Sequence, residues 1–327
     1  MPNQLIDSFG RVHTYLRISV TDRCNLRCRY CMPLDGLKWK QKDELLSFEE
    51  IEKLTKILSA MGINKVRLTG GEPLMRQELV KLVTKLKAIP GIETLAMTTN
   101  ATLLARQARA LKEAGMNALN ISLDSFKRQR FNDITRLDCF DEVMQGIDSA
   151  LQTGFDSLKI NMVVMSGVND DEVLDFAQFA QDNDVNVRFI EFMPFKDNHW
   201  QLDKVVTFAQ IKERLQKHFV LTPQLTEASA VAKDFKLDKA GSVSFITSMS
   251  ESFCGTCNRL RLTSDGSMKS CLFFPAEINL RDALRQNSSE ETLKGMILSC
   301  LEAKPKAHPP AHEIAASENR TMIEIGG

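Results

Sequence analysis

Residues 15–33 read YLRISVTDRCNLRCRYCMP. The first six alternate: Leu16, Ile18 and Val20 share one face of an extended chain, and Arg17 and Ser19 share the other. Such a strand delivers the backbone straight into a loop carrying Cys24, Cys28 and Cys31, with three and then two residues between them. Three thiols this close always leave one over from any disulfide pairing. Their chemistry suits a soft metal centre, zinc or iron–sulfur. A structural zinc site wants four ligands, and no fourth Cys or His lies near, because His13 precedes the loop by a whole strand. A [4Fe–4S] cluster takes four cysteines when complete, so three would leave one iron open for chemistry. A zinc loop or a redox-sensing thiol cluster is the alternative at this point.

The alternation of the opening strand recurs. Strands are expected at 65–69, 94–98, 118–123, 158–164 and 187–192. Helical patterns lie near 48–61, 77–88, 105–114, 140–152 and 170–182, the first opened by Ser47 and Glu50 as a capping box. Strand–helix alternation at this spacing means a parallel sheet with right-handed crossovers. Six strands are two short of a closed (β/α)8 barrel.

One face of each of the first five strands is polar: Arg17 and Ser19; Arg67 and Thr69; Thr94, Ala96 and Thr98; Asn120, Ser122 and Asp124; Lys159 and Asn161. A filled barrel interior would be Val, Ile and Leu, and buried Arg or Lys without partners would be costly. A polar, anionic ligand held across the sheet satisfies both constraints; a sheet face open to water is the plainer alternative. Arg188 is ambiguous, since it falls on the helix-facing parity if Met193 faces the lumen.

At the end of the second strand, TGGEP (69–73) places Gly70 and Gly71 where a backbone can approach a ligand closely. It is not a phosphate loop of the GxxxxGK type. From about Trp200 the rhythm changes. A helical pattern at 208–218 is followed by short strand-like runs at 232–237 and 242–247, then CGTCNRLRLTSDGSMKSC (254–271). Cys254, Cys257 and Cys271 make a second triplet with no histidine among them; a zinc ribbon is the plain alternative, short of a fourth ligand. Cys139 and Cys300 sit in apolar surroundings and read as ordinary buried cysteines. His308 and His312 lie in a proline-broken tail and are weak ligand candidates. Arg259 and Arg261 alternate just after Cys257, so both point the same way, as suits a phosphate or a base edge.

Composition narrows the classes. The 327 residues carry 42 basic against 42 acidic side chains, so no basic nucleic-acid footprint is indicated. No apolar run approaches the ~20 residues of a membrane span, and the first residues lack an apolar secretory core. Eight cysteines in such a chain imply a reducing compartment and metal ligation rather than disulfides. The expected location is the cytoplasm.

The Cys-x3-Cys-x2-Cys loop with Tyr30 before its last cysteine, together with GGEP, resembles the radical S-adenosylmethionine (SAM) enzymes. Adding LRISVTDRCNLRCRYCMP, VRLTGGEPLMR, ISLDS, FIEFMPF, FCGTCNRLRLTSDG and the closing Gly-Gly, the whole chain resembles one family, the GTP 3′,8-cyclases of molybdenum-cofactor biosynthesis. The resemblance implies an α/β fold, an incomplete (β/α)6 TIM-like half-barrel (residues 1–200) closed by a smaller C-terminal α+β region (201–327). It implies two [4Fe–4S] clusters, held by Cys24, Cys28 and Cys31 and by Cys254, Cys257 and Cys271. Tyr30, Gly71, Ser122 and Met193 would line SAM. Arg17, Arg67, Thr98, Lys159, Arg259, Leu260 and Arg261 would bind GTP, and Gly326 and Gly327 would thread into the active site. The implied chemistry is reductive cleavage of SAM, hydrogen abstraction from the GTP ribose C3′ and closure onto guanine C8. The product would pass to cyclic pyranopterin monophosphate synthase, with a reductant as electron source and a homodimer as the assembly. Another radical SAM enzyme with an auxiliary cluster, such as a peptide modifier, and a non-catalytic metal sensor are the rivals.

Overall fold

The computed structural model describes residues 4–33, 37–274, 277–317 and 320–326. In the first two-thirds of the chain β1 (Tyr15–Ser19), β2 (Lys65–Thr69), β3 (Thr94–Thr99), β4 (Ala118–Ser122), β5 (Ser157–Val164) and β6 (Asn186–Glu191) are the strands. Between them run α1 (Phe48–Ala60), α2 (Leu79–Lys87), α3 (Ala108–Glu113), α4 (Arg128–Thr135), α5 (Phe140–Thr153) and α6 (Val173–Asn183). After α7 (Phe208–Gln216) come β7 (Thr222–Pro223), β8 (Ala232–Lys236), β9 (Ser242–Ile246), β10 (Arg259–Leu262), β11 (Ser267–Lys269) and β12 (Ile278–Asn279). Among the described residues four helices follow: α8 (Leu280–Arg285), the longer α9 (Glu290–Glu302), α10 (Ala311–Ala316) and α11 (Met322–Ile325).

These strands form one mixed sheet in the order β12-β11-β10-β1-β2-β3-β4-β5-β6-β9-β8-β7. From β10 through β1–β6 to β9 every neighbour is parallel. Antiparallel strands extend it at both edges. The C-terminal residues therefore do not build a sheet of their own. They add β10 beside β1 and β9 beside β6, pairing the backbone groups that the first six strands would leave open at their edges.

Strand parity explains the core. Leu16, Ile18, Val66, Leu68, Leu95, Met97, Leu119, Ile121 and Ile160 are all 0% exposed, packed in one apolar cluster with the helices. The alternate residues face the other way, as the pleat requires. The capping box of α1 forms as its sequence indicates: Glu50 N donates to Ser47 Oγ (3.2 Å) and Ser47 N to Glu50 Oε2 (2.7 Å). Helix α4 has no counterpart in the expected pattern, because RQRFNDIT buries only Phe131, Ile134 and Thr135 and carries no side-chain cap. Its last carbonyls nonetheless support the cysteine loop, with Arg27 N donating to Thr135 O and Arg29 N to Ile134 O, both at 3.0 Å. No helix among the described residues is long and apolar enough to cross a membrane.

Candidate active site

A cavity of about 750 Å³ lies against the polar face of the sheet. Cys24, Cys28, Cys31 and Tyr30 line it, with Gly70 and Gly71 beside them; so do Cys254, Cys257 and Cys271. Its lining also includes Arg17, Arg67, Thr98, Ser122, Lys159, Met193, Arg259 and Arg261. The two cysteine triplets, more than two hundred residues apart in sequence, thus open into a common space. Leu260 is the exception. The pleat turns its side chain into the helix-covered core, where it is 0% exposed, so only its main chain is available to a ligand. Cys139 and Cys300 belong to the apolar core and its margin, as expected.

The first loop is held by backbone. Gly71 N donates to Thr21 O and Glu72 N to Arg23 O, both at 2.8 Å. A Cβ on Gly71 would lie 2.2 Å from Arg23 O. The close approach that demands glycine is therefore to the cysteine loop itself. Glu72, 1% exposed, ties this turn to the end of β3 by accepting from Thr99 Oγ1 and Asn100 N, both at 2.7 Å. Burial pushes its carboxyl up to about 7 against those donors. Tyr30 Oη donates to Asp124 Oδ2 at 2.6 Å, fixing the ring between the loop and β4.

The thiols suit a cationic metal centre. Burial, aided by Glu72, raises Cys24 to about 11; burial, aided by Cys24 and Asp124, raises Cys31 to about 12. Cys28 is raised well above its ordinary value by burial and the neighbouring Cys31. Such thiols lose their protons when a metal supplies the compensating charge. Among the described residues no three Cys, His, Asp or Glu side chains converge on a single-ion site. A four-iron cluster asks for wider spacing, since its cysteines are shared among four irons. In the second triplet burial again opposes ionisation of Cys257, but Arg259 and Lys304 outweigh it and bring the thiol down to about 6.

The wall of the cavity is cationic. Register places Arg17 between Arg261 on β10 and Arg67 on β2, and Tyr15 between Arg259 and Lys65. Arg67 Nε donates to Tyr15 Oη at 2.6 Å and Nη1 to Met97 O at 3.0 Å, with Thr98 Oγ1 at 3.4 Å. Burial raises the Tyr15 hydroxyl, but Arg67 and Arg17 outweigh it and bring it to about 7. Burial and mutual repulsion lower Arg261 to about 9, Arg17 to about 10 and Lys159 to about 8, the last repelled chiefly by Arg188. Arg188, ambiguous in sequence, lines the cavity beside Lys159: Asn186, Arg188 and Ile190 are the half-buried positions of β6, alternating with buried Val187, Phe189 and Glu191. The Nε atoms of Arg188, Arg259 and Arg261 are buried without a hydrogen-bond partner. Crowded, desolvated cations with open donors fit a polyanionic ligand. Tyr15 and Lys304 complete the site and carried no sequence signal, since each is a lone residue whose partners are distant in the chain; Glu72 belongs to the TGGEP stretch, which did not reveal its partners Thr99 and Asn100.

The C-terminal tail reaches the same region. Arg320 pairs with Asp265 at 2.8 Å, α11 follows, and Gly326 ends it at φ +89°. A Cβ on Gly326 would lie 2.5 Å from Ser19 Cβ and 3.2 Å from Thr69 Oγ1. Met322 and Ile323 line the cavity. Gly327 lies outside the described residues. His308 lines the cavity edge-on to Phe273, with ring centroids 5.1 Å apart.

The chain is similar to known proteins along its length. Residues 18–180 match the Radical SAM superfamily and residues 185–310 match Molybdenum Cofactor Synthesis C. The chain is 46% identical over 327 residues to the mitochondrial GTP 3′,8-cyclase of Arabidopsis thaliana, covering 99% of this chain and 84% of that protein. It is 43% identical to the GTP 3′,8-cyclase of Syntrophomonas wolfei, covering 99% and 100%. Against human Molybdenum cofactor biosynthesis protein 1 it is 45% identical, covering 98% of this chain but 51% of that protein, so it spans about half the length of that relative. Among solved structures, Streptococcus suis SuiB superposes with a TM-score of 0.62 at 13% identity, covering 96% of this chain and 78% of the other. The protein anSMEcpe with bound AdoMet gives 0.59 at 17% identity, covering 92% and 79%. Those two likenesses concern the α/β fold. On the full-length identities, the chain belongs to the GTP 3′,8-cyclase family of radical SAM enzymes.

Proposed function

We propose that this chain is a GTP 3′,8-cyclase that converts GTP to (8S)-3′,8-cyclo-7,8-dihydroguanosine 5′-triphosphate, the first step of molybdenum-cofactor biosynthesis. The observation that carries this is the row Arg261–Arg17–Arg67 on one sheet face, in a cavity that both cysteine triplets line. Three cations in register offset most of the charge of a triphosphate, each charge-assisted bond contributing about 1.5–3 kcal/mol.

Cys24, Cys28 and Cys31 would hold a first [4Fe–4S] cluster, with Tyr30, Gly71, Ser122 and Met193 around the SAM that it would cleave. When bound, that pair supplies the radical that removes hydrogen from the ribose C3′. Cys254, Cys257 and Cys271 would hold a second cluster. Arg17, Arg67, Thr98, Lys159, Arg259 and Arg261 fix the nucleotide by their side chains, and Leu260 by its main chain. Their work is orientation and exclusion of water. Gly326 occupies the space beside the nucleotide where a side chain would not fit, and the family's glycine pair extends that role to Gly327.

The cavity belongs to a half-barrel of residues 1–200, completed by residues 201–327, whose β9 and β10 flank it. The enzyme works as a cytoplasmic homodimer, draws electrons from a separate reductant and hands its product to cyclic pyranopterin monophosphate synthase. Anaerobic incubation of the reconstituted chain with SAM, GTP and a reductant tests the proposal: formation of a cyclised product of GTP's mass with 5′-deoxyadenosine supports it, and consumption of SAM without change to GTP sinks it.

A further inference from the structure

We infer that Lys304 is the positioning and charge-compensating residue of the second cysteine triplet; this rests on that triplet holding a cluster, as proposed above. Lys304 follows the last turn of α9, the helix that packs on β11 and β12. It is 4% exposed. Its ammonium donates to Ser270 O and to Arg259 O (3.0 Å), and reaches Cys257 Sγ at 3.7 Å. Ser270 immediately precedes Cys271, and Arg259 lies two residues after Cys257. One side chain therefore ties together the two separate stretches that carry two of the three ligands. Arg11, itself ion-paired to Asp7 at 2.5 Å, makes the matching link to the third by donating to Cys254 O at 2.7 Å.

Among the described residues no carboxylate pairs with Lys304. A buried ammonium needs a counter-charge, and the anion in its reach is the sulfur of Cys257. Its N–H to sulfur contact and its charge are two of the features that set an iron–sulfur potential. Lys304 thus holds the ligand spacing and moves the second cluster toward easier reduction, while its polar contacts among the described residues, all with the stretches of the second triplet, leave the first cluster untouched.

The test uses the full chain, reconstituted anaerobically, with Lys304→Met and Lys304→Arg. Iron content, the midpoint potential of each cluster by electron paramagnetic resonance, and the rate of iron loss to a chelator are read. In Lys304→Met the second cluster should shift to more negative potential and lose iron about 10–100-fold faster, the range for removing an outer partner of a metal ligand. Lys304→Arg should recover most of both, and the first cluster should be unchanged throughout. Should Lys304→Met not fold, Lys304→Gln keeps a donor for the two carbonyls but drops the charge, and the potential is read there. A wild-type chain holding about four irons instead of about eight would refute the second cluster itself. A wild-type chain with about eight, and variants matching it in potential and chelation rate, would overturn the role of Lys304 alone.

Discussion

Arg17 on β1 and Arg261 on β10 stand directly opposite each other in a parallel pair, with Arg67 in register on the other side of Arg17. Guanidiniums in adjacent strands repel: Arg17 lowers the proton affinity of Arg261, and Arg67 and Arg259 lower that of Arg17, in each case on top of the larger effect of burial. The row is therefore electrostatically strained by its own charges, and an anion bound across it relieves that strain. Strong ligand stabilisation follows from mass action.

Arg17→Ala should weaken GTP binding by about 10- to 100-fold, the loss of one charge-assisted bond of about 1.5–3 kcal/mol. Iron at the first triplet should stay the same, because Arg17 points to the nucleotide side of the sheet. Calorimetry with the reconstituted protein, paired with iron analysis, checks both; unchanged affinity would refute the triphosphate role.

Lys159 gives GTP binding a pH dependence. Burial and Arg188 lower its ammonium to about 8 in the empty site. A bound triphosphate favours the charged form, so the complex holds the proton to higher pH. Through Lys159 affinity should therefore fall as pH rises beyond about 8, on top of the fall from ionisation of the Tyr15 hydroxyl near 7, and Lys159→Met should flatten the part above 8. For the empty protein the sign is opposite: the unfolded chain binds the proton up to its ordinary 10.5, so stability increases as pH rises from about 8 to 10.5. Titration of affinity from pH 7 to 9 on both proteins decides this; parallel curves would contradict it.

Gly71→Ala should separate the two turns that frame the SAM site. The added carbon would sit 2.2 Å from Arg23 O, a backbone atom that cannot rotate away. SAM affinity should drop at least tenfold and the first cluster should become labile, while iron at the second triplet persists. Wild-type SAM binding in this variant would show that the contact is dispensable.

Gly326→Ala should displace the tail. It asks an L-residue to hold φ +89° and puts a carbon 2.5 Å from Ser19 Cβ, where the left-handed backbone alone costs roughly 1–2 kcal/mol. Cyclisation should fall more than tenfold with GTP affinity within about threefold of wild type. Deleting Gly326 and Gly327 should abolish cyclisation with the same sparing of affinity, and an active truncated enzyme would count against a threaded tail.

Much of this was legible in the chain. Local alternation marked Leu16, Ile18, Val66 and Leu68 as core and Arg17, Arg67 and Lys159 as their opposites, because a pleat has period two wherever it lies. Spacing alone marked both cysteine triplets. Other features were not legible. Arg188 needed the register of β6 against β5 to fix its face. Leu260 needed the same parity rule applied to β10, whose partner β1 is hundreds of residues away. Helix α4 lacked an apolar stripe, since half its purpose is to present Thr135 O and Ile134 O to the cysteine loop.

The sequence by itself marked β1–β6, β8 and β9 as strands, the polar faces of the first five and the grouping of the thiols, for these follow from neighbours along the chain. Only the tertiary structure decided that β10 closes against β1, so that Arg261 joins Arg17 and both triplets open on one cavity. It alone brought Lys304 under Cys257 and carried Gly326 to Ser19. Those relationships depend on hydrogen bonds and packing between segments distant in sequence, and short-range patterns carry no record of which distant edge a strand will meet.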